Sequence, residues 1–206
     1  MNLIIYVFAL ILSIVIHEIA HGFVADKCGD PTARLSGRLT LNPLNHLDPI
    51  GSILIPLFVF ITTIPVPGWA KPVPVNPYNL NNPRIDMVKV AFAGPFANIG
   101  LAVVSSIILR LPIIPPNTYL EHLFLCFVVA NFLLALFNLI PIPPLDGSRI
   151  VAGLLPSTSF RPSPLEPFGF IIIILLLYSG AFKFIVNLAL YLSCLGVGER
   201  FLHFAL

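Results

Sequence analysis

The sequence predicts an all-α polytopic membrane protein, and three observations predict it. The chain is 57% hydrophobic and only 10% charged over 206 residues, with a mean hydropathy of +0.97; globular proteins average about 25% charged. Its apolar runs have the length of bilayer crossings, about 20 residues each. Its 21 prolines concentrate between those runs, at 65–83, 112–116, 141–144 and 156–167, where they punctuate spans. The length holds five to six transmembrane helices, with short loops and no appended soluble domain. It reads as a single domain over 1–206, with a core over about 1–150 and a C-terminal helical hairpin over about 165–206.

Composition also excludes some partners. A net charge of +2, one Trp and no basic cluster give nothing for nucleic acid to bind. Cys28, Cys126 and Cys194 are few, odd in number and far apart, so they predict packing rather than disulfides.

Met1–Ala25 is the first span. It lacks a Lys/Arg n-region and a small-residue cleavage site before its histidines, so it is expected to be retained rather than removed as a signal peptide. Ala33–Leu41 alternates Leu35, Leu39 and Leu41 around Gly37, which is strand patterning. Asn42–Pro49 is turn-rich; its His46 and Asp48 are either loop ligands or, more commonly, helix caps and turn formers. Ile50–Ile64 is apolar but short and interrupted by Gly51, Ser52 and Pro56, which fits a re-entrant segment, with a full crossing as the alternative. Lys27, Arg34 and Arg38 precede it and Lys71, Arg84 and Lys89 follow it, so both flanks read as cytoplasmic.

The prolines of Gly68–Pro77 exclude helix. That stretch is either an extended edge lining a cleft or a rigid connection. Ile85–Leu111 and Tyr119–Ile140 are further spans, the first carrying Ala93-Gly94-Pro95 and Asn98, the second Asn131 and Asn138. Glu166–Tyr178 and Phe184–Leu206 pattern as an apolar hairpin, with Lys183 at its outer turn and Arg200 near its inner end.

The chemistry lies in His17-Glu18-Ile19-Ala20-His21, in the last third of the first span. Ionisable groups at that depth are costly in hydrocarbon, and a metal ion compensates for them. Residues four apart share a helix face, so His17 and His21 can bind one cation. Glu18 lies on the flank, within reach of a water on the metal. That is the H-E-x-x-H arrangement of zinc hydrolases. A third ligand is needed, and Asp146 is the best carboxylate for it. It projects from the break Pro141–Gly147, whose backbone at membrane depth must be buried in protein or line a wet cavity. Asn98 reads either as interhelical glue or as a substrate contact.

With these residues in place the chain resembles the site-2 protease family of intramembrane zinc metalloproteases, in its small form without PDZ or CBS domains. Four blocks carry the resemblance in order: His17–His21, Gly68–Pro77, Ala93-Gly94-Pro95 with Asn98, and Asn138–Gly147. The resemblance implies one Zn2+ held by His17, His21 and Asp146, with Glu18 as the catalytic acid/base. It implies a membrane-embedded β-hairpin matching Ala33–Leu41. It matches Asn98 and Asn138 to polar positions near the site, where substrate or oxyanion contact is expected. It also implies an active site near the cytoplasmic face of a bacterial-type plasma membrane.

The expected reaction is hydrolysis of peptide bonds in or beside transmembrane segments of membrane-protein substrates, as in regulated intramembrane proteolysis. An extended substrate is expected to pair with an edge at Leu35–Leu41 or Val73–Val75. The rivals are a metal permease and a non-catalytic zinc-binding scaffold. Against the first, nothing polar carries an ion from the site to the far face. Against the second stands Glu18, because a structural zinc site needs no base. With no sensor domain in the chain, regulation is expected from a membrane partner, a homo-oligomer or prior trimming of the substrate.

Overall fold

The computed structural model describes residues 3–54, 70–155, 166–198 and 200–201. The first helix, α1 (Leu3–Lys27), is 25 residues long and largely apolar up to His17, with Lys27 in its last turn, where a cation suits the helix dipole. A single turn, α2 (Thr32–Leu35), follows. Pro83 then opens α3 (Pro83–Arg110), where Asn82 accepts from the Ile85 N–H and Asp86 accepts from the Asn82 N–H. Thr118 caps α4 (Tyr119–Asn138) through the Glu121 N–H. Three shorter helices close the chain: α5 (Asp146–Leu154), α6 (Gly169–Tyr178) and α7 (Ala181–Val197).

Among the described residues three helices, α1, α3 and α4, are long and apolar enough to cross a membrane; a fourth crossing exists if α6 and α7 count as one broken span. This corrects the expected five to six. The α6–α7 pair bends by 74° rather than folding into a hairpin, because the Ser179-Gly180 turn, with Gly180 at φ 79°, makes an L. At 10 residues α6 is only about 15 Å long, too short to cross alone. The direction of α7 changes accordingly. Phe182 packs edge-on against Phe137, at the end of α4 that leads to the 141–144 break. Arg200 lies beside Glu121 and donates to the Ile114 carbonyl at the opposite end. Arg200 is therefore at the end expected for Lys183, and Lys183 at the end expected for Arg200. Most of the expected re-entrant stretch Ile50–Ile64 lies outside the described residues; its start, Pro49–Leu54, is a short π-helix.

The expected β-hairpin at Ala33–Leu41 is also corrected: no strand occurs among the described residues. The backbone bonds explain why. Gly37 sits at φ +64°, its N–H donates to Arg34 O, and the Arg38 N–H donates to Ala33 O. That pair of bonds is a Schellman helix stop, and the glycine is there for its left-handed conformation. The N–H groups of Leu35 and Ser36 are likewise taken locally, by Pro31 O and Thr32 O. Four consecutive amides of the alternating pattern, residues 35–38, are thus spent within the turn.

Helix α3 packs against α1, α4, α5 and α7. The contact is close because the buried faces are small: Ala91, Gly94, Ala102, Ser105 and Ser106 on α3, Ala9 and Ser13 on α1, Ala130 and Ala135 on α4. Without a hydrophobic drive between helices in lipid, such small-residue packing is the main attraction. One end of the bundle is fixed by Arg84 donating to Gly153 O and Asn81 N–H donating to Cys28 O. The other is fixed by Arg110 donating to Gly196 O and Leu195 O.

Candidate metal centre

Helical spacing places His17 and His21 one turn apart on the buried face of α1, with their Nε2 atoms 3.0 Å apart. Asp146 opens α5, and its Oδ2 stands 3.2 Å from each Nε2. A carboxylate in the first turn of a helix is favoured by the dipole. The start of α5 is pressed onto the end of α4: a Cβ on Gly147 would stand 2.3 Å from Leu139 O. That contact brings a residue 125 positions beyond His21 onto the histidine pair.

The other ring nitrogens decide what this cluster can do. His17 Nδ1 lies 2.5 Å from Asn98 Oδ1, and His21 Nδ1 lies 2.6 Å from Val90 O. Both partners only accept, so both Nδ1 atoms carry protons. Both Nε2 atoms then present lone pairs, to each other and to a buried carboxylate oxygen that has no hydrogen-bond donor. Two lone pairs and an anion, within 4.8 Å of one another, need a cation between them. Two imidazoles and one carboxylate are the ligand set of a catalytic zinc that keeps a fourth position open. These residues therefore fit Zn2+, and among the described residues His17, His21 and Asp146 are the one His/Cys/Asp/Glu group placed to hold a metal.

Helix α3 forms the wall. A Cβ at Gly94 would stand 2.4 Å from His21 Nε2 and 2.6 Å from His17 Nε2, so only glycine leaves room there. Glu18 is outside the ligand group, and its Oε2 accepts from the Val73 N–H at 2.8 Å. The segment carrying that amide is clamped at both ends. Arg38, buried, donates to Lys71 O and Pro72 O; the Lys71 N–H donates to His46 O. At the far end the Asn76 N–H donates to Asp30 Oδ2 at 2.6 Å. Burial would raise the Asp30 pKa, but hydrogen bonds from Thr32, Asn79 and the Asn76 amide outweigh it and hold the carboxyl below its ordinary value.

These bonds leave the expected substrate edge at Val73–Val75 without donors at its first two positions. The Val73 N–H belongs to Glu18, and Pro74 has none. Gly68 and Trp69 lie outside the described residues. Asn98 is fully buried and committed: it accepts from His17 and donates to Ser13 O and Asn131 Oδ1. Asn138 turns its amide back onto Leu134 O of its own helix. His46 bonds Thr40 O, and Asp48 caps the N–H groups of Ile50 and Gly51, so both act as turn formers. Sequence reasoning missed the Val73 amide, and it gave Ser13 and Asn131 no role. The signal for Ser13 was its spacing, one turn before His17 on the same helix face.

Comparison with known proteins points to the same metal. The profile of peptidase family M50 matches residues 113–179, the part that carries Asp146. The chain is 42% identical over 178 residues to "Putative zinc metalloprotease YwhC" of Bacillus subtilis (strain 168), covering 82% of this chain and 78% of that protein. It is 33% identical over 175 residues to "Putative zinc metalloprotease Rip2" of Mycolicibacterium smegmatis (strain ATCC 700084 / mc(2)155), covering 83% of this chain and 65% of that protein. Against Rip2 of Mycobacterium tuberculosis (strain ATCC 25618 / H37Rv) the identity is 32%, over 81% of this chain and 63% of that protein. The chain thus spans just under two thirds of the Rip2 proteins. No solved structure matches it significantly. The chain belongs to peptidase family M50, the site-2 protease family of zinc metalloendopeptidases.

Proposed function

We propose that this protein is a multi-pass intramembrane endopeptidase that hydrolyses peptide bonds in or beside transmembrane segments of membrane-protein substrates, as a step of regulated proteolysis. The observation that carries the reading is the convergence of two Nε2 lone pairs and a buried carboxylate on α1 and α5, with Glu18 beside them. His17, His21 and Asp146 are the zinc ligands. Zinc bound there would supply Lewis acidity and lower the pKa of a water to about 7.

The chain's own groups do the rest. Glu18 takes the proton of the attacking water and returns it to the leaving amine. The Val73 amide holds its carboxylate in place. Asn98 orients His17 through Nδ1 and, with both amide protons spent on Ser13 O and Asn131 Oδ1, is not read as an oxyanion contact. Packing of α3 at Gly94 keeps lipid and bulk water off the ligand atoms. The end bearing the site also bears Lys27, Arg34, Arg38, Lys71, Arg84 and Lys89, whereas Arg110 and Arg200 lie at the other end. That asymmetry supports a cytoplasmic site in a bacterial-type plasma membrane.

The test compares membrane-protein fragments from cells carrying wild type or Glu18→Gln. Glutamine keeps an acceptor for the Val73 amide and leaves the zinc ligands untouched, but it cannot take a proton. Fragments cut near the cytoplasmic edge of a span, present only with wild type, are the expected result. Identical fragment profiles from two folded, zinc-loaded proteins would refute the proposal and leave metal transport or a scaffold role.

A further inference from the structure

A buried chain of hydrogen bonds runs away from the metal centre through three helices. His17 Nδ1–H donates to Asn98 Oδ1 on α3, and Asn98 Nδ2 donates to Asn131 Oδ1 on α4 at 2.6 Å. Asn131 Nδ2 donates to Ser13 Oγ on α1 at 2.8 Å and to Phe127 O at 2.8 Å; Ser13 Oγ–H donates to Ala9 O at 2.7 Å. Ser13, Asn98 and Asn131 are all 0% exposed, so no water competes for these bonds.

The chain has one direction. Its far ends are the backbone carbonyls of Ala9 and Phe127, which can only accept. Asn131 cannot turn over without setting its oxygen against Phe127 O. Asn98 cannot turn over without setting its oxygen against Ser13 O and Asn131 Oδ1. A reversed Asn98 would present N–H to His17 Nδ1 and push the imidazole proton to Nε2, where it would occupy the lone pair meant for the metal. Outer-shell groups fix metal-binding histidines in this way. Without Asn131, Asn98 is oriented only by the long 3.3 Å bond to Ser13 O.

We propose that Asn131 and Ser13 are positioning residues of the metal centre: through Asn98 they lock His17 in the tautomer whose Nε2 is free to ligate. The inference rests on the zinc reading above. Buried amides and hydroxyls between membrane helices also act as plain packing glue. A control separates the two roles. Ser193, on α7, is equally buried and bonds its own i−4 carbonyl, Ala189 O, at the same 2.7 Å, but no bond links it to His17.

The experiment uses purified full-length protein in detergent, with Zn2+ as the probe. Zinc affinity is measured by chelator competition, and the His17 tautomer is read from 15N-histidine spectra of the metal-stripped protein. Asn131→Leu should weaken zinc binding by about 10- to 100-fold, the range for lost outer-shell partners. Ser13→Ala should weaken it severalfold, Ser193→Ala should not, and only Asn131→Leu and Ser13→Ala should show a population of His17 with Nδ1 unprotonated. If Asn131→Leu does not fold, Ser13→Ala against Ser193→Ala decides. Equal zinc affinities for those two, or an unchanged tautomer, would overturn the inference. Absence of zinc binding in wild type would instead sink the zinc reading beneath it.

Discussion

Replacing Gly94 with alanine should empty the metal centre while improving the helix it sits in. The added Cβ would stand 2.4 Å from His21 Nε2 and 2.6 Å from both Nε2 and Cε1 of His17, against 3.4 Å or more for ordinary contact. Either α3 or the imidazoles must shift by about 1 Å. Metal–ligand distances tolerate only about 0.2 Å. Overpacking of this kind costs about 1–3 kcal/mol, or about 5- to 150-fold in zinc affinity if the strain is relieved by moving the ligands. Helix propensity works the other way, favouring alanine by about 0.8–1.0 kcal/mol. Gly100, on the same helix, has nothing within 4 Å of its would-be Cβ. Gly100→Ala should therefore stabilise slightly and bind zinc as wild type does. The assay is chelator-competition titration of both purified variants, with thermal melts in excess chelator. Gly94→Ala binding zinc within twofold of wild type would refute the steric reasoning.

Other predictions concern the remaining ligands and supports. Asp146→Asn keeps the shape but removes the anion, so zinc affinity should fall by more than the roughly 10- to 100-fold typical of an outer-shell loss; metal analysis after dialysis checks this. Val73→Pro deletes the N–H that holds Glu18, and should lower kcat about tenfold or more with zinc retained, since a positioned base contributes about 10²–10⁴-fold. Val73→Ala keeps the amide and should stay near wild type; an equal loss from both would show that packing, not the amide, matters. Asp30 has a lowered folded-state pKa, so its stabilising effect is present above the unfolded value of about 3.9 and is lost as pH falls through the folded value. The gap in melting temperature between wild type and Asp30→Asn should hold from pH 7 to about pH 5 and close at lower pH.

How far the sequence foretold this site depended on the range of the interactions involved. His17, Glu18 and His21 were legible because helical periodicity and an apolar span are local properties. Asp146 was legible because a proline break at membrane depth confines a carboxylate to protein. The β-hairpin at Ala33–Leu41 failed because three leucines at even spacing say nothing about whether their amides are free. Gly37 is a helix stop there, and a left-handed glycine looks in sequence like a strand interruption. The terminal hairpin failed because hydropathy measures the length of an apolar run and not the angle at Ser179-Gly180. The roles of Asn98, Asn131 and the Val73 amide were not legible, since each depends on contacts between residues 33 to 118 positions apart.

Those long-range contacts tie the metal to the packing of the bundle, and removing zinc should show it. His17 and His21 come from α1, Asp146 from α5, and the groups that orient the two rings from α3. Withdrawing the cation leaves two Nε2 lone pairs 3.0 Å apart and a carboxylate oxygen 3.2 Å from each, all buried. A ligand at about 100 times its Kd adds about 2.7 kcal/mol to the state that binds it. At about 2–4 °C per kcal/mol for a chain of this size, chelation should lower the melting temperature by about 5–11 °C. Asp146→Asn should start near the stripped wild type and respond little to chelator, because its zinc is already gone and its buried charge with it. A wild-type melt indifferent to chelator would mean that the three ligands are held together by the helices alone. The close approach of α1, α3 and α5 would then be a property of the packing and owe nothing to the ion.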